Sequence, residues 1–288
     1  MPAFSDPSQR EPADQALMIT LVTFLFLCSS YSQKLTKDIN IKKKIDETSG
    51  LEILDGKFIT HNDSGGDPKL YYLDKKGKIV FERTLEGVKN NDWEDITKDD
   101  QFIYVANMGN NFDARKNLSI VKIPIDPSSN TAELIEFNYL EQVKFNTAYN
   151  KSQYDAEALI TIDDFLIILT KNKLKKITEI YVLPKIAGKY EAKKIGSLNT
   201  QSIITGGDYD PDTKLLALTG TLFFNEYYIL KIENFNLEVK KDYKIDMYEI
   251  PIGKTQVEAI KIIDSNTFWI TSEDEKSSSS ARLMKIKL

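Results

Sequence analysis

The chain holds one cysteine and one histidine in 288 residues. With Cys28 alone, no disulfide can form within the chain, and a structural zinc site built on Cys and His is excluded. Any imidazole chemistry has to use His61. Basic charge is also short: Lys and Arg number 38 against 43 Asp and Glu, for a net charge of −5. No basic stripe is available to neutralise phosphates, which excludes a nucleic-acid binder. The densest basic run, Lys42-Lys43-Lys44, reads as a solvated edge.

Long apolar runs are missing too. Residues 16–28 are almost wholly apolar but too short to span a bilayer comfortably. They lead into Ser29-Ser30-Tyr31-Ser32, where small residues suit cleavage before Gln33. The expectation is an export signal over 1–32 and a mature domain over 33–288, placed in the periplasm, on the cell surface or outside the cell. Asp6, Glu11 and Asp14 against a lone Arg10 depart from the basic start of such signals, so Met18 is an alternative initiator with 1–17 an upstream mis-start. An uncleaved anchor is the competing reading. Leu27, not a small residue, precedes Cys28 and argues against lipid attachment.

What the chain does contain is a short acidic signature, returning about every fifty residues. The copies are Glu47-Thr-Ser-Gly-Leu51, Asp92-Trp-Glu-Asp-Ile96, Asp155-Ala-Glu-Ala-Leu159 and Gln256-Val-Glu-Ala-Ile260, with a degenerate one at Gly206-Gly-Asp-Tyr-Asp210. Strand patterns follow each copy, rich in β-branched and aromatic residues and bounded by Gly, Asp or Asn. No helical period appears outside the leader. The fold expected is all-β: a single β-propeller of four-stranded blades, five in number, with six as the alternative count. The long interval at Glu141–Ser152 is an insertion, or hides the extra strands. Leu237–Lys240 reads as the outer strand of the fourth unit. The fifth unit stops one strand short, and Asn40–Ile45 is expected to close it, leaving no long exposed edge.

In such a ring the first strand of each blade lines the axis. The signature acids Glu47, Glu94, Glu157, Asp208 and Glu258 would then face one another at one end of it. Like charges so placed raise one another's pKa unless a cation intervenes. A hard divalent ion with oxygen ligands resolves the conflict, and calcium fits best. The plainer alternative is that these acids cap turns or pair with Arg83, Arg115 and lysines. Two Asn- and Gly-rich loops, His61–Gly66 and Asn107–Arg115, offer further oxygen ligands. His61 and Arg115 are the catalytic candidates, Arg115 as a partner of Asp113 or of an anionic ligand. Ser64 lacks a third orienting group for a hydrolase triad. Trp93 reads as packing between blades.

Glu47 to Leu51, Asn62 to Gly66, Asp92 to Ile96, Gly109 to Arg115 and Asp155 to Leu159 together resemble the SdiA-regulated and phytase-like esterase propeller groups. The resemblance covers most of 46–274 and is densest in 46–115. It implies a secreted bacterial propeller of the calcium-binding type. The wider clan is similar to the gluconolactonase-like propellers, which hold one axial divalent metal with Glu, Asn and Asp and hydrolyse lactones or phosphoesters. By that likeness Glu47 matches the opening metal Glu. The basic clusters of phytases are not present. Two functions follow as expectations: an exported, monomeric calcium-binding module for an unknown ligand or surface partner, or a metal-dependent hydrolase of esters, lactones or phosphoesters. The mature chain is expected to have no stable membrane span.

Overall fold

The computed structural model describes residues 33–222, 226–238, 242–253, 255–274 and 280–288. The expected leader over 1–32, with its alternative start at Met18, lies outside the described residues. Twenty strands and two 3-10 turns make up the secondary structure of the described residues, and no α-helix occurs among them. No helix there is long and apolar enough to cross a membrane.

β1 (Lys34–Asn40) leads in. Antiparallel four-stranded sheets follow, each a simple meander: β2 (Thr48–Leu54), β3 (Lys57–Asn62), β4 (Lys69–Leu73) and β5 (Ile79–Thr84); then β6 (Asp95–Lys98), β7 (Phe102–Asn107), β8 (Leu118–Pro124) and β9 (Glu133–Tyr139). β10 (Ala156–Ile162), β11 (Phe165–Thr170), β12 (Thr178–Pro184) and β13 (Gly188–Leu198) form the next. β14 (Ile203–Asp210), β15 (Leu215–Thr221), β16 (Tyr227–Ile232) and β17 (Asp246–Glu249) follow it. β18 (Val257–Asp264), β19 (Thr267–Ser272) and β20 (Arg282–Lys287) take β1 as their outer edge. The leading strands β2, β6, β10, β14 and β18 neighbour one another in turn, and β18 returns to β2. Sheets whose first strands close a ring around one axis make a β-propeller.

The residue pattern explains the layering. Second strands such as β11 (FLIILT) and β15 (LLALTGT) are buried on both faces and read as near-continuous apolar runs. Outer strands such as β13 and β5 alternate or lie exposed. Between sheets, Ile, Leu and Phe from facing sides interdigitate: Ile160, Ile167 and Leu169 pack on Leu216, Leu218 and Leu230. The β2–β3 turn is an Asp55-Gly56 pair with φ of 49° and 71°, the conformation a two-residue hairpin needs.

The first and last described strands meet in one sheet, but through a different segment from the one expected. β1 pairs with β20 from Lys34↔Lys287 to Asn40↔Arg282, and Arg282 holds Asp38 at 2.7 Å. Of the expected closing segment Asn40–Ile45 only Asn40 belongs to the strand; the rest turns away and makes a 3-10 turn at Lys43–Ile45. Its apolar residues dictate this: Ile41 and Ile45 are both buried and pack on Leu51, Phe58 and Leu283. In the fourth sheet the outer strand is β17, not Leu237–Lys240. Phe235 and Leu237 turn inward onto Tyr243, whose hydroxyl bonds Asn236 O at 2.9 Å.

The Glu141–Ser152 interval holds no strand, only a 3-10 turn at Tyr149–Lys151. Asp113 ties this insertion down. Its carboxylate accepts from Ser152 Oγ at 2.7 Å, Thr147 Oγ1 at 3.0 Å and the backbone N–H groups of Tyr154 and Gln153 at 3.0 and 3.1 Å. The neighbouring outer edges are fused as well, since β9 and β13 pair in parallel from Ile135↔Gly188 to Tyr139↔Ala192.

Candidate functional site

The opening turns of the leading strands surround a cavity of about 140 Å³ at one end of the axis. Ser49, Glu94, Glu157, Thr205 and Glu258 reach it from successive sheets. Glu94, Glu157 and Glu258 are therefore brought together, as the repeat implied. Glu47 and Asp208 are not. Glu47 is exposed, and it meets the site only through its carbonyl, which accepts from Asp63 N at 2.8 Å. Asp208 lies deeper along the axis, where Lys261 Nζ bridges it at 2.9 Å to Glu52 at 2.8 Å. Ile262 N donates to its second oxygen at 2.8 Å.

The cause is local. β2, β10, β14 and β18 each carry a register shift at or beside the signature: Ser49/Glu52, Ala156/Ala158, Ile204/Gly206 and Val257/Ala259. A bulge adds a residue and re-aims the side chains on either side of it. Ser49 is the third residue of its signature, as Glu94, Glu157 and Glu258 are of theirs, and Thr205 stands at the β14 bulge as Glu157 and Glu258 stand at those of β10 and β18, so these two take the places expected of Glu47 and Asp208.

A second set of side chains enters where the second strands end. Asp63, Lys171 and Glu273 each follow such a strand, and each N–H donates to the carbonyl of a signature's first residue: Glu47, Asp155 and Gln256. Gly109 makes the same bond to Asp92 O at 3.2 Å. Asp63, Asp92, Asp155 and Glu273 were not singled out by the repeat. Asp92 and Asp155 were nevertheless inside the signatures, and Asp63 sat in a loop already marked by its Asn, Asp and Gly content.

Two overlapping groups of acids result. One carboxylate oxygen each from Asp63, Asp92 and Glu94 lie within 4.8 Å of one another, and the same holds for Glu94, Asp155 and Glu157. The second group is served by lysines. Lys171 Nζ contacts Glu157 and lies 3.5 Å from Asp155, while Lys173 Nζ is 3.1 Å from Asp155. Lys173 is held further by Asn111 Oδ1 at 2.6 Å and by the Tyr149 ring, 3.6 Å from its centroid. Among the described residues the first group pairs only with Arg115, 3.7 Å from Asp92.

Electrostatics follow this division. Burial pushes Glu94 well above the usual carboxylate range, and the charges of Glu157 and Asp63 add to it. Burial, then Asp92, Glu157 and Glu273, push Asp63 up to about 8. Burial also raises Glu258, and the charges of Glu273 and then Glu157 add to it. Burial also raises Glu157, against the pull of Lys171. Asp155 is the exception: burial opposes its charge, but Lys171 and Lys173 hold it below the ordinary value.

His61 does not line the cavity. It is fully buried beneath Gly50, and its ring stands edge-on to Trp93 at 5.5 Å. Nδ1 bonds Asn62 O at 3.0 Å, and burial lowers its pKa to about 4, so the imidazole is neutral at physiological pH. Arg115 is likewise committed to its own loop, donating to Gly109 O at 2.6 Å and Asn107 O at 3.2 Å. It pairs with Asp92 rather than Asp113, whose oxygens the insertion uses.

No family model matches the chain, and no curated protein matches it. Among solved structures, it is similar to the PQQ-bound aldose sugar dehydrogenase of Streptomyces coelicolor, at 11% identity and a TM-score of 0.48, over 89% of this chain and 98% of that one. A chain of the mitotic checkpoint complex aligns at 10% identity and a TM-score of 0.45, covering 100% of this chain and 98% of its own. The WD40 β-propeller domain of Doa1 aligns at 10% identity and 0.40, covering 84% and 66%. Likeness at this level carries no argument about function.

Gly109 is where the backbone comes closest to the acids. A Cβ there would overlap Glu94 Oε1 and Asp92 Oδ2. Both atoms end side chains that can be pushed aside, so the substitution acts on the site more than on the fold. Gly109→Ala is expected to weaken divalent-cation binding by roughly tenfold or more while lowering the cation-free melting temperature only by about 2–4 °C. Titration calorimetry and thermal melts check both. Unchanged affinity would mean that these oxygens are not ligands.

Proposed function

We propose that this chain is an exported five-bladed propeller that binds a divalent cation, calcium by its chemistry, at the hub, and that it acts as a binding module for an as yet unidentified ligand. The SdiA-regulated and phytase-like resemblance read from the motifs is in keeping with this. The observation that carries the proposal is Glu94. It is only 5% exposed, it opens into the cavity, and its carboxylate has neither a hydrogen bond nor an ion pair among the described residues. A buried carboxylate without a partner is costly, and a bound cation removes the cost. Asp63, Asp92 and Glu94 would supply the charge, and Glu157, Glu258 and Glu273 also line the cavity. Oxygen-only donors suit calcium and disfavour zinc.

The module is preferred to the hydrolase because, among the described residues, neither the imidazole nor a lysine amine faces the cavity free to act as a base. His61 is walled off, and Lys171 and Lys173 are held by acids. Residues 33–288, exchanged exhaustively into chelator-free buffer, are expected to retain about one calcium per chain by elemental analysis. At about 100 times Kd, calcium should add about 2.7 kcal/mol, or about 5–10 °C in melting temperature. No retained metal together with identical melts in chelator and in calcium would refute the proposal. Turnover of a lactone or ester panel, abolished by chelator, would favour the hydrolase.

A further inference from the structure

Lys171 occupies a slot that carries acids elsewhere in the repeat. Asp63, Lys171 and Glu273 make the same backbone bond at the end of their second strands. Where two sheets send a carboxylate toward the axis, the third sends an ammonium. Lys171 N is anchored on Asp155 O at 2.6 Å, and its side chain bends back so that Nζ meets Glu157 and Asp155. These are the acids that, with Glu94, offer three oxygens within 4.8 Å of one another, close enough to share a single ion.

From this juxtaposition we infer that Lys171 is a tethered cation filling one of two overlapping divalent-ion sites, so that the hub takes one divalent ion beside Asp63, Asp92 and Glu94, and removal of the ammonium opens a second site at Glu94, Asp155 and Glu157. The inference rests on the proposed cation site but goes beyond it to stoichiometry. Two observations support it independently of the number of acids. Glu94 is 95% buried, its carboxylate has no partner among the described residues, and it belongs to both groups. Lys171 already shows that the second group accepts a positive charge in direct contact. Lys173 shares Asp155 Oδ2 with Lys171, but among the described residues only Lys171 pairs with Glu157, and Asn111 and Tyr149 hold the Lys173 ammonium where it is.

The test is calcium titration of the mature-length protein and of Lys171→Met, with stoichiometry read by calorimetry and elemental analysis. Wild type is expected to bind one ion and the variant two. The variant's melting temperature should depend on calcium more steeply than that of wild type. Folding of the variant only when calcium is present supports the inference, since the ion then replaces the ammonium. One ion in both proteins, at equal affinity, overturns the inference and leaves the proposed site intact. No ion in wild type but one in the variant supports the tethered cation and refutes the wild-type site. No ion in either refutes both. Lys171→Gln serves as a second variant; if neither variant folds even in calcium, the lysine has a packing role that the ion cannot fill, and the inference is overturned.

Discussion

Replacing Glu94 by glutamine is expected to act in opposite directions with and without calcium. Without the ion, the wild-type carboxylate is buried among like charges, with its pKa held well above the ordinary range by burial, Glu157 and Asp63. Ionising it near neutral pH therefore costs stability. Glutamine keeps the shape, removes the charge and brings an amide donor for the neighbouring Asp92. The cation-free protein should gain about 1–2 kcal/mol, or about 2–8 °C in melting temperature. With calcium the sign reverses. Glu94 belongs to both three-acid groups, so its loss would remove a central ligand of the proposed site and one unit of charge. Affinity should fall on the order of 100-fold or more, since even indirect supports of a metal site cost 10–100-fold. The stabilisation by calcium should then vanish at ordinary calcium concentrations. Melts of both proteins in chelator and in calcium measure the crossing. A variant that is less stable in chelator and still rises with calcium would show that Glu94 is a structural acid.

The second large effect is in pH. Asp63 is raised from 3.8 to about 8, and Glu94 and Glu258 shift in the same direction. A carboxyl with a raised pKa in the folded state contributes stability that is complete below its unfolded value. That contribution is lost as pH rises through the folded value. His61 works the other way: lowered from 6.5 to about 4, it contributes fully above 6.5 and loses that contribution as pH falls toward 4. Asp155, lowered by its lysines, likewise supports the fold above its ordinary value. Between pH 6.5 and 8.5 the raised acids decide the slope. One proton lost over two pH units costs about 2.7 kcal/mol. In chelator the melting temperature should therefore drop by about 5–10 °C across that window. Calcium should remove most of the drop, and its stabilisation should be larger at pH 8.5 than at 6.5. Glu94→Gln should flatten the slope in chelator. A melting temperature that stays level or climbs over this window in chelator would contradict the description of the hub as an uncompensated acid cluster.

Much of this architecture was legible in the chain because strand order needs only local patterns. Period-two alternation, Gly- and Asp-bounded turns and the recurring signature placed nearly every strand. The same signature picked out Glu94, Glu157 and Glu258. Where the prediction departed, a specific interaction had the final say. Ile41 and Ile45 were drawn into the core, so Lys34–Asn40 closes the ring. Phe235 and Leu237 preferred Tyr243 to a sheet edge, which moved the outer strand to β17. Glu47 opens its signature, two residues before Ser49, the counterpart of Glu94, Glu157 and Glu258, and Asp208 lies three residues beyond Thr205, the bulge residue of β14, so neither reaches the cavity.

The amino-acid order alone therefore set the repeat, the strands and the acidity of each sheet's opening turn, because these depend on neighbours close in the chain. Which acids meet, and that Lys171 joins them as a cation in a slot where other sheets place carboxylates, was decided only by closing the ring. Closure brings residues far apart in the chain within 4.8 Å of one another in a space shielded from water. At that range and burial, charges that would ignore one another in an open chain set one another's protonation.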